Sequence, residues 1–119
     1  MEINLNSNSI LRLPDNVLSG KKNLSDLIEY TKNGSEFVSI MSKRMGSVTL
    51  LAYDAGQKLC EHIPANDSMV YIVEGTANIR LPAKNIIVQL GEMILLPANM
   101  PHSFFANVPF KMLLVIIKL

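Results

Sequence analysis

From Glu36 onward, apolar residues come in short runs separated by Gly, Pro, Asn and Asp, and many of the runs alternate with a period of two. Phe37 to Met41 reads as a strand with Phe37, Ser39 and Met41 on one face, followed by a turn at Arg44-Met45-Gly46. Val48 to Tyr53 is the next strand, closed by Asp54-Ala55-Gly56, and Lys58 to Ile63 follows, ended by Pro64. Met69 to Val73 is then predicted to stop at Glu74-Gly75. Thr76 to Leu81 alternates most cleanly, with Ala77, Ile79 and Leu81 set against Thr76, Asn78 and Arg80. After a turn over Pro82 to Asn85 come Ile86 to Leu90, Met93 to Leu96, Ser103 to Ala106 and Phe110 to Lys118. Many short strands with Gly and Pro turns predict an all-β barrel or sandwich.

Two segments depart from this pattern. NLSDLIEYTKNG predicts a short helix, with Asn23 or Ser25 as the cap, Leu24, Leu27 and Ile28 on one face, and Asn33-Gly34 at its end. So short a helix needs something to pack on. Met112 to Ile117 is apolar at six successive positions, so both faces of the last strand need cover. The inner face can pack in a barrel, and the outer face points to a homodimer, with the capped helix or the Phe37 strand as covers within the chain. Residues 1–22, rich in Asn, Ser and Leu, read as an N-terminal arm. Residues 23–119 then form one domain, and 119 residues suffice for a core without staples.

Composition narrows the function classes. The net charge is +1, and the basic pairs Lys21-Lys22 and Lys43-Arg44 read as solvated loops, so no nucleic-acid footprint is expected. One cysteine rules out an internal disulfide framework and fits a reducing compartment. The first residues lack the pattern of a secretory signal, and the C-terminal apolar run is far short of a membrane span, so a cytoplasmic protein without membrane contact is expected. No phosphate loop, nucleophile elbow or Cys pair appears.

The chemistry that remains lies in two histidines. Five residues separate Gly56 from His62, and Gly75 closes that segment; five residues separate Gly91 from Pro97, and His102 follows between Pro101 and Ser103. GQKLCEHIPANDSMVYIVEG and GEMILLPANMPHSFFAN resemble the two motifs of the cupin superfamily. In the first, Gly56, His62 and Gly75 match, while Pro64 stands for the second His and Ser68 for the Glu. In the second, Gly91, Pro97 and His102 match, Asn99 stands for a Gly (a residue that tolerates positive φ), and Ala106 takes the place of an Asn. The resemblance, over residues 24 to 119, is to small single-domain cupins with one His per motif. It implies a double-stranded β-helix (jelly-roll) barrel, with the site in its mouth.

If His102 points inward, Phe104 and Ala106 do too; if His62 does, so do Cys60 and Pro64. Pro97 and Pro101 then serve to aim His102. The resemblance implies a divalent metal, but two of its four usual ligands are gone. His62 and His102, with Cys60 as a further donor, would hold zinc, nickel, iron, manganese or copper weakly, since catalytic sites usually keep three protein ligands. Cys60 reads equally as a buried small hydrophobe. Asp67 and Glu74 lie beside turns and read as exposed; Met69, Met93, Met100 and Met112 read as core filler; Tyr53 and Tyr71 line a pocket or pack. Three readings stay open. One is a barrel that binds a small molecule in a pocket marked by His62, His102, Phe104 and Cys60. The others are a metal-dependent dioxygenase or isomerase acting on a small metabolite, and a sensor or interaction module without chemistry.

Overall fold

The computed structural model describes residues 11–12 and 20–118, the side chains of residues 11–12 and 60–62 excepted. Among these residues nine strands form: β1 (Leu11–Arg12), β2 (Ser35–Lys43), β3 (Gly46–Tyr53), β4 (Lys58–His62), β5 (Asp67–Arg80), β6 (Asn85–Gln89), β7 (Met93–Leu96), β8 (His102–Phe105) and β9 (Phe110–Ile117). They make one curled sheet in the order β1-β2-β3-β9-β5-β8-β4, with β6 and β7 also paired to β5. Every pairing is antiparallel except that of β1, which runs parallel to β2 at Val38 and Ser39. The rest of the arm expected over residues 1–22 falls outside the described residues, apart from residues 20–22.

The long strand β5 makes the sheet curl. The turn expected at Glu74-Gly75 is instead an irregularity within a strand of 14 residues. Before it, β5 lies between β9 and β7; after it, between β6 and β8. The register against β9 slips between Ile72 and Glu74. Gly75 has φ +74°, and a Cβ there would lie 2.1 Å from the Pro109 carbonyl oxygen. A close crossing and a left-handed backbone both demand glycine, and the kink lets one strand serve two layers. Two predicted strands thus merge because hydrogen bonding continues through the bulge.

The core fills the inside of the curl. Val70 and Ile72 from β5, Ala77 and Ile79 from its second half, Leu96, Phe104, Phe110, Met112 and Leu114 are buried together. Tyr53 belongs here as well, stacked on Phe110 with ring centroids 5.1 Å apart, so it packs. Burial pushes its phenol up to about 12. Met112 is core as expected and Met100 packs against the core, but Met93 is 47% exposed, on the outside of β7.

The expected N-terminal helix is only a single 3-10 turn, Leu24–Leu27. Asn23 makes no side-chain cap and Ile28 is already extended, so the segment stops after one turn, before α-helical propagation could offset nucleation. It still covers the outer face. Ile28, Val38, Leu50 and Ala52 form a second buried cluster, with Leu24, Leu27, Tyr30 and Leu113 packed on it. Lys111, 7% exposed, fastens the segment: its Nζ donates to the Ser25 carbonyl at 2.6 Å, lies 3.6 Å from Glu74 Oε2 and 4.9 Å from the Tyr30 ring centroid. The Tyr30 hydroxyl donates to the same carboxylate, and burial together with that carboxylate pushes its pKa up. Glu74 is therefore part of a structural clasp.

The cover is partial. On the outer face two cross-strand rows run from β2 to β7: Val38, Leu50, Leu113, Tyr71 and Met93, then Met41, Val48, Val115, Met69 and Leu95. In the second row Met41 and Leu95 are exposed, and Ile117 beyond it is exposed too.

Candidate functional site

Two turns that open the motif segments are set by glycines in left-handed conformation. Gly56 has φ +87° and Gly91 φ +85°, with nothing near the position of an added Cβ, so the backbone angle alone selects glycine. Gly56 donates to the Ala106 carbonyl at 2.7 Å and Ala106 donates to the Gln57 carbonyl at 2.9 Å, which joins the start of β4 to the end of β8. The second motif ends in a loop over residues 97–101 that is tied down at three points. Asn99, φ +66°, takes the left-handed conformation expected of it and donates to the Pro64 carbonyl at 2.8 Å. Ala98 N–H donates to Asp67 Oδ1 at 2.7 Å, and Met100 N–H to the Pro97 carbonyl at 3.3 Å. Asp67 is exposed, as expected, and acts as a loop anchor.

That loop delivers His102 as the first residue of β8, one residue earlier than the predicted strand start. The side chain is 1% exposed. Phe104 and Ala106 are buried with it, as the alternation required. The Phe104 ring meets the imidazole edge-on, with centroids 5.5 Å apart at 86°. Nδ1 of His102 lies 3.2 Å from the Met100 carbonyl. A carbonyl only accepts, so Nδ1 carries the hydrogen and Nε2 is the lone-pair nitrogen of the neutral ring. Burial lowers the His102 pKa, and the Met100 bond opposes that shift only in part. The Nδ1–H bond to a backbone carbonyl fixes both the tautomer and the orientation of this imidazole.

The structure brings the two histidines into register: His62, the last residue of β4, is the direct antiparallel partner of His102. The side chains of Cys60 and His62 lie outside the described residues, so their placement as pocket or metal-binding groups stays an expectation. Pro64 is buried, and Ser68 donates weakly to the Leu96 carbonyl at 3.5 Å.

Sequence reasoning missed the inner wall at this end of the barrel. One inward row runs Ser42, Ser47, Ile116, Ser68 and Leu96, and the next Ser39, Thr49, Leu114, Val70 and Ile94. Leu96 leads directly into the loop over residues 97–101. Ser47 Oγ and Thr49 Oγ1 are buried without a hydrogen-bond partner among the described residues. The apolar run Val48 to Tyr53 was legible as a strand, but nothing local says that a serine and a threonine face inward.

Three or more His, Cys, Asp or Glu side chains that could hold a metal do not converge anywhere among the described residues. The four-donor set implied by the motifs does not fit this chain: proline has no donor, and a hydroxyl already bonded to a carbonyl is a poor substitute for a carboxylate.

A curled antiparallel barrel with glycine-started motif strands and a buried histidine on β8 has the cupin fold, and solved structures agree. A conserved protein of unknown function, SPY1581 from Streptococcus pyogenes, matches with a TM-score of 0.80 and 27% identity, over 85% of this chain and 89% of that one. A cupin superfamily protein from Desulfitobacterium hafniense matches with a TM-score of 0.80 and 21% identity, over 84% and 92%. A cupin 2 conserved barrel domain protein from Leptotrichia buccalis is 30% identical with a TM-score of 0.77; this chain is covered to 82%, and spans 47% of that one. In sequence, the uncharacterized protein SCO3923 of Streptomyces coelicolor is 29% identical over 76 residues, 64% of this chain and 72% of its own length. No family profile matches the chain.

Proposed function

We propose that this cupin barrel binds a small molecule at the end where β4 and β8 pair His62 with His102, and that a divalent metal is held there only weakly. The register of that pair carries the reading. Directly opposite positions in an antiparallel pair have Cβ atoms about 4.5–5.5 Å apart, a span that one ion or one ligand atom can bridge. The orientation of the His102 ring supports it, and Phe104 forms one apolar wall beside that ring. Cys60 is the remaining donor of this proposal, although the register of β4 slips between Leu59, which packs on the inner core, and His62, so the expected alternation does not carry its part. Residues 23–119 act as one domain with the arm at 1–22, in a cytoplasm whose reducing state suits a single cysteine. No helix among the described residues is long and apolar enough to cross a membrane. Two copies pair through the apolar rows outside β2, β3, β9, β5 and β7.

Zinc titration of chelator-treated protein tests the site. Weak binding is expected, lost in His62→Gln and in His102→Gln. Pro64→His with Ser68→Glu should raise affinity markedly, because position 64 is buried and Ser68 belongs to the inward row. A thermal-shift panel of small carboxylates and phenols should raise the melting temperature of the natural protein but not of His102→Gln. Natural protein that keeps one metal per chain through exhaustive chelation would overturn the weak-metal reading and favour the metal-dependent enzyme. A panel without hits, together with zinc binding unaffected by either histidine substitution, would leave the module without chemistry.

A further inference from the structure

The outside of the second layer, β4-β8-β5-β6, holds a groove of about 420 Å³. That volume is within the range of small-molecule sites. Its rim is built by pairing that sequence reasoning could not see. One row crosses the layer as Lys58, Phe105, Asn78 and Ile87. In the next, Arg80 lies opposite Ser103 on one side and Asn85 on the other. Lys58 and Arg80 therefore stand two strands and one row apart. With strands about 4.8 Å apart and about 3.4 Å of rise per residue, their Cα atoms are about 12 Å apart. Long cationic side chains from two corners can both reach a ligand lying between them. Neither cation forms an ion pair among the described residues. Among the described residues no acidic side chain lines the groove.

A merely solvated face explains the cations but not what lies between them. Phe105, beside Lys58 in the first row, is 39% exposed, and Ile87 is exposed in the same row. An exposed ring offers a stacking face. Two cations, a hydroxyl and two amides around it offer donors to an anion.

We propose that this groove is a second binding site, separate from the barrel mouth, for a small planar organic anion: a ring carrying a carboxylate or a phosphate. The ring stacks on Phe105, and the anion sits between Lys58 and Arg80 with Ser103 and the Asn78 and Asn85 amides as further donors. Nothing in this site uses a histidine or a metal, so it stands or falls apart from the reading of the mouth.

The test is an amide chemical-shift titration of the full chain with four probes: phenyl phosphate, benzoate, inorganic phosphate and benzamide. Phenyl phosphate or benzoate, or both, should shift the amides of Asn78, Ser103 and Phe105. Which of the two binds tighter tells whether a phosphate or a carboxylate is preferred. Inorganic phosphate and benzamide should each bind more weakly, having one half of the recognition. Lys58→Gln and Arg80→Gln should each weaken binding about three- to fivefold, the scale of an exposed ion pair, and added salt should weaken it further. Phe105→Ala should erase the advantage of phenyl phosphate over inorganic phosphate. All three positions are exposed, and unchanged thermal melting verifies that the variants fold. The proposal is overturned if neither aromatic anion shifts groove amides at 10 mM, a concentration well above the about 1 mM that corresponds to about 4 kcal/mol. It is equally overturned if inorganic phosphate binds as well as phenyl phosphate, or if both charge variants bind unchanged.

Discussion

The apolar rows outside the first layer predict an association that can be broken from an exposed position. Leu95 ends the row Met41, Val48, Val115, Met69 and Leu95, on the edge strand β7, and is 64% exposed. Full burial of a leucine is worth about 1.5–3 kcal/mol, so the exposed part leaves about 1–2 kcal/mol per copy to be gained on docking. A two-fold contact counts the same residue twice, so Leu95→Lys should cost about 3 kcal/mol, or about 100-fold in the dimer dissociation constant. The monomer should hardly notice, because lysine on an exposed edge strand is well tolerated. Leu114→Lys, one residue before the outward-facing Val115, is the contrast: its side chain is in the inner core and would bury an unpaired charge, so that chain should not fold. Sedimentation with circular dichroism separates the two outcomes. The natural chain should sediment near twice 13.2 kDa, and Leu95→Lys near 13.2 kDa with an unchanged spectrum. A monomer for the natural chain at tens of micromolar, concentrations at which a contact worth about 8 kcal/mol would hold, would refute the pairing. So would a Leu95→Lys dimer of undiminished strength.

Gly75→Ala should destabilise the chain by at least about 2 kcal/mol. The left-handed backbone alone costs about 1–2 kcal/mol for a residue with a Cβ, and the Pro109 carbonyl must also move; urea unfolding measures it, and a loss under about 1 kcal/mol would contradict the crossing described. Tyr53 predicts an alkaline limit. Its folded pKa, about 12, lies above the ordinary 10, so the folded chain holds the phenolic proton more tightly than the unfolded one, and the associated stability is complete below pH 10 and disappears as pH rises through 12. Urea midpoints between pH 9 and pH 12 should fall less steeply in Tyr53→Phe by about 2 kcal/mol over that window; parallel curves would contradict it.

Local pattern carried most of the strands because each alternates or ends at a residue with a backbone reason to end it. Asn99 was legible as a left-handed position and Gly56 and Gly91 as motif glycines, and the inward set His102, Phe104 and Ala106 followed from period two. The failures have a common origin in contacts distant along the chain. Glu74-Gly75 looked like a turn because its neighbour across the sheet, Phe110, is 35 residues away, and only that pairing shows the strand continuing. The 3-10 turn was overread as a helix because its apolar spacing serves a flat sheet face, to which Lys111 fastens it from the far end of the chain. The same limit hid the groove: Arg80 and Asn78 were visible as the polar side of a strand, but Lys58, Phe105 and Ser103 join them only through β8.

The inner wall gives an independent argument about what the barrel is for. Positions 70 and 114, which share a row with Thr49, carry valine and leucine, and a wall selected only for packing would continue that choice at 47 and 49. It carries hydroxyls instead, both buried and both without a partner among the described residues. Leaving one such group unsatisfied costs about 1–3 kcal/mol, a large share of the 5–15 kcal/mol that holds a domain together. A chain under selection for stability alone would lose them, since Ser→Ala and Thr→Val are simple replacements there. Their presence on the inner wall is what a barrel would keep if a polar ligand, as proposed above, received those hydrogen bonds. The same wall is ill-suited to a metal, since neutral hydroxyls are poor ligands for zinc or copper beside imidazole. Both observations suit the proposed small polar ligand better than an ion.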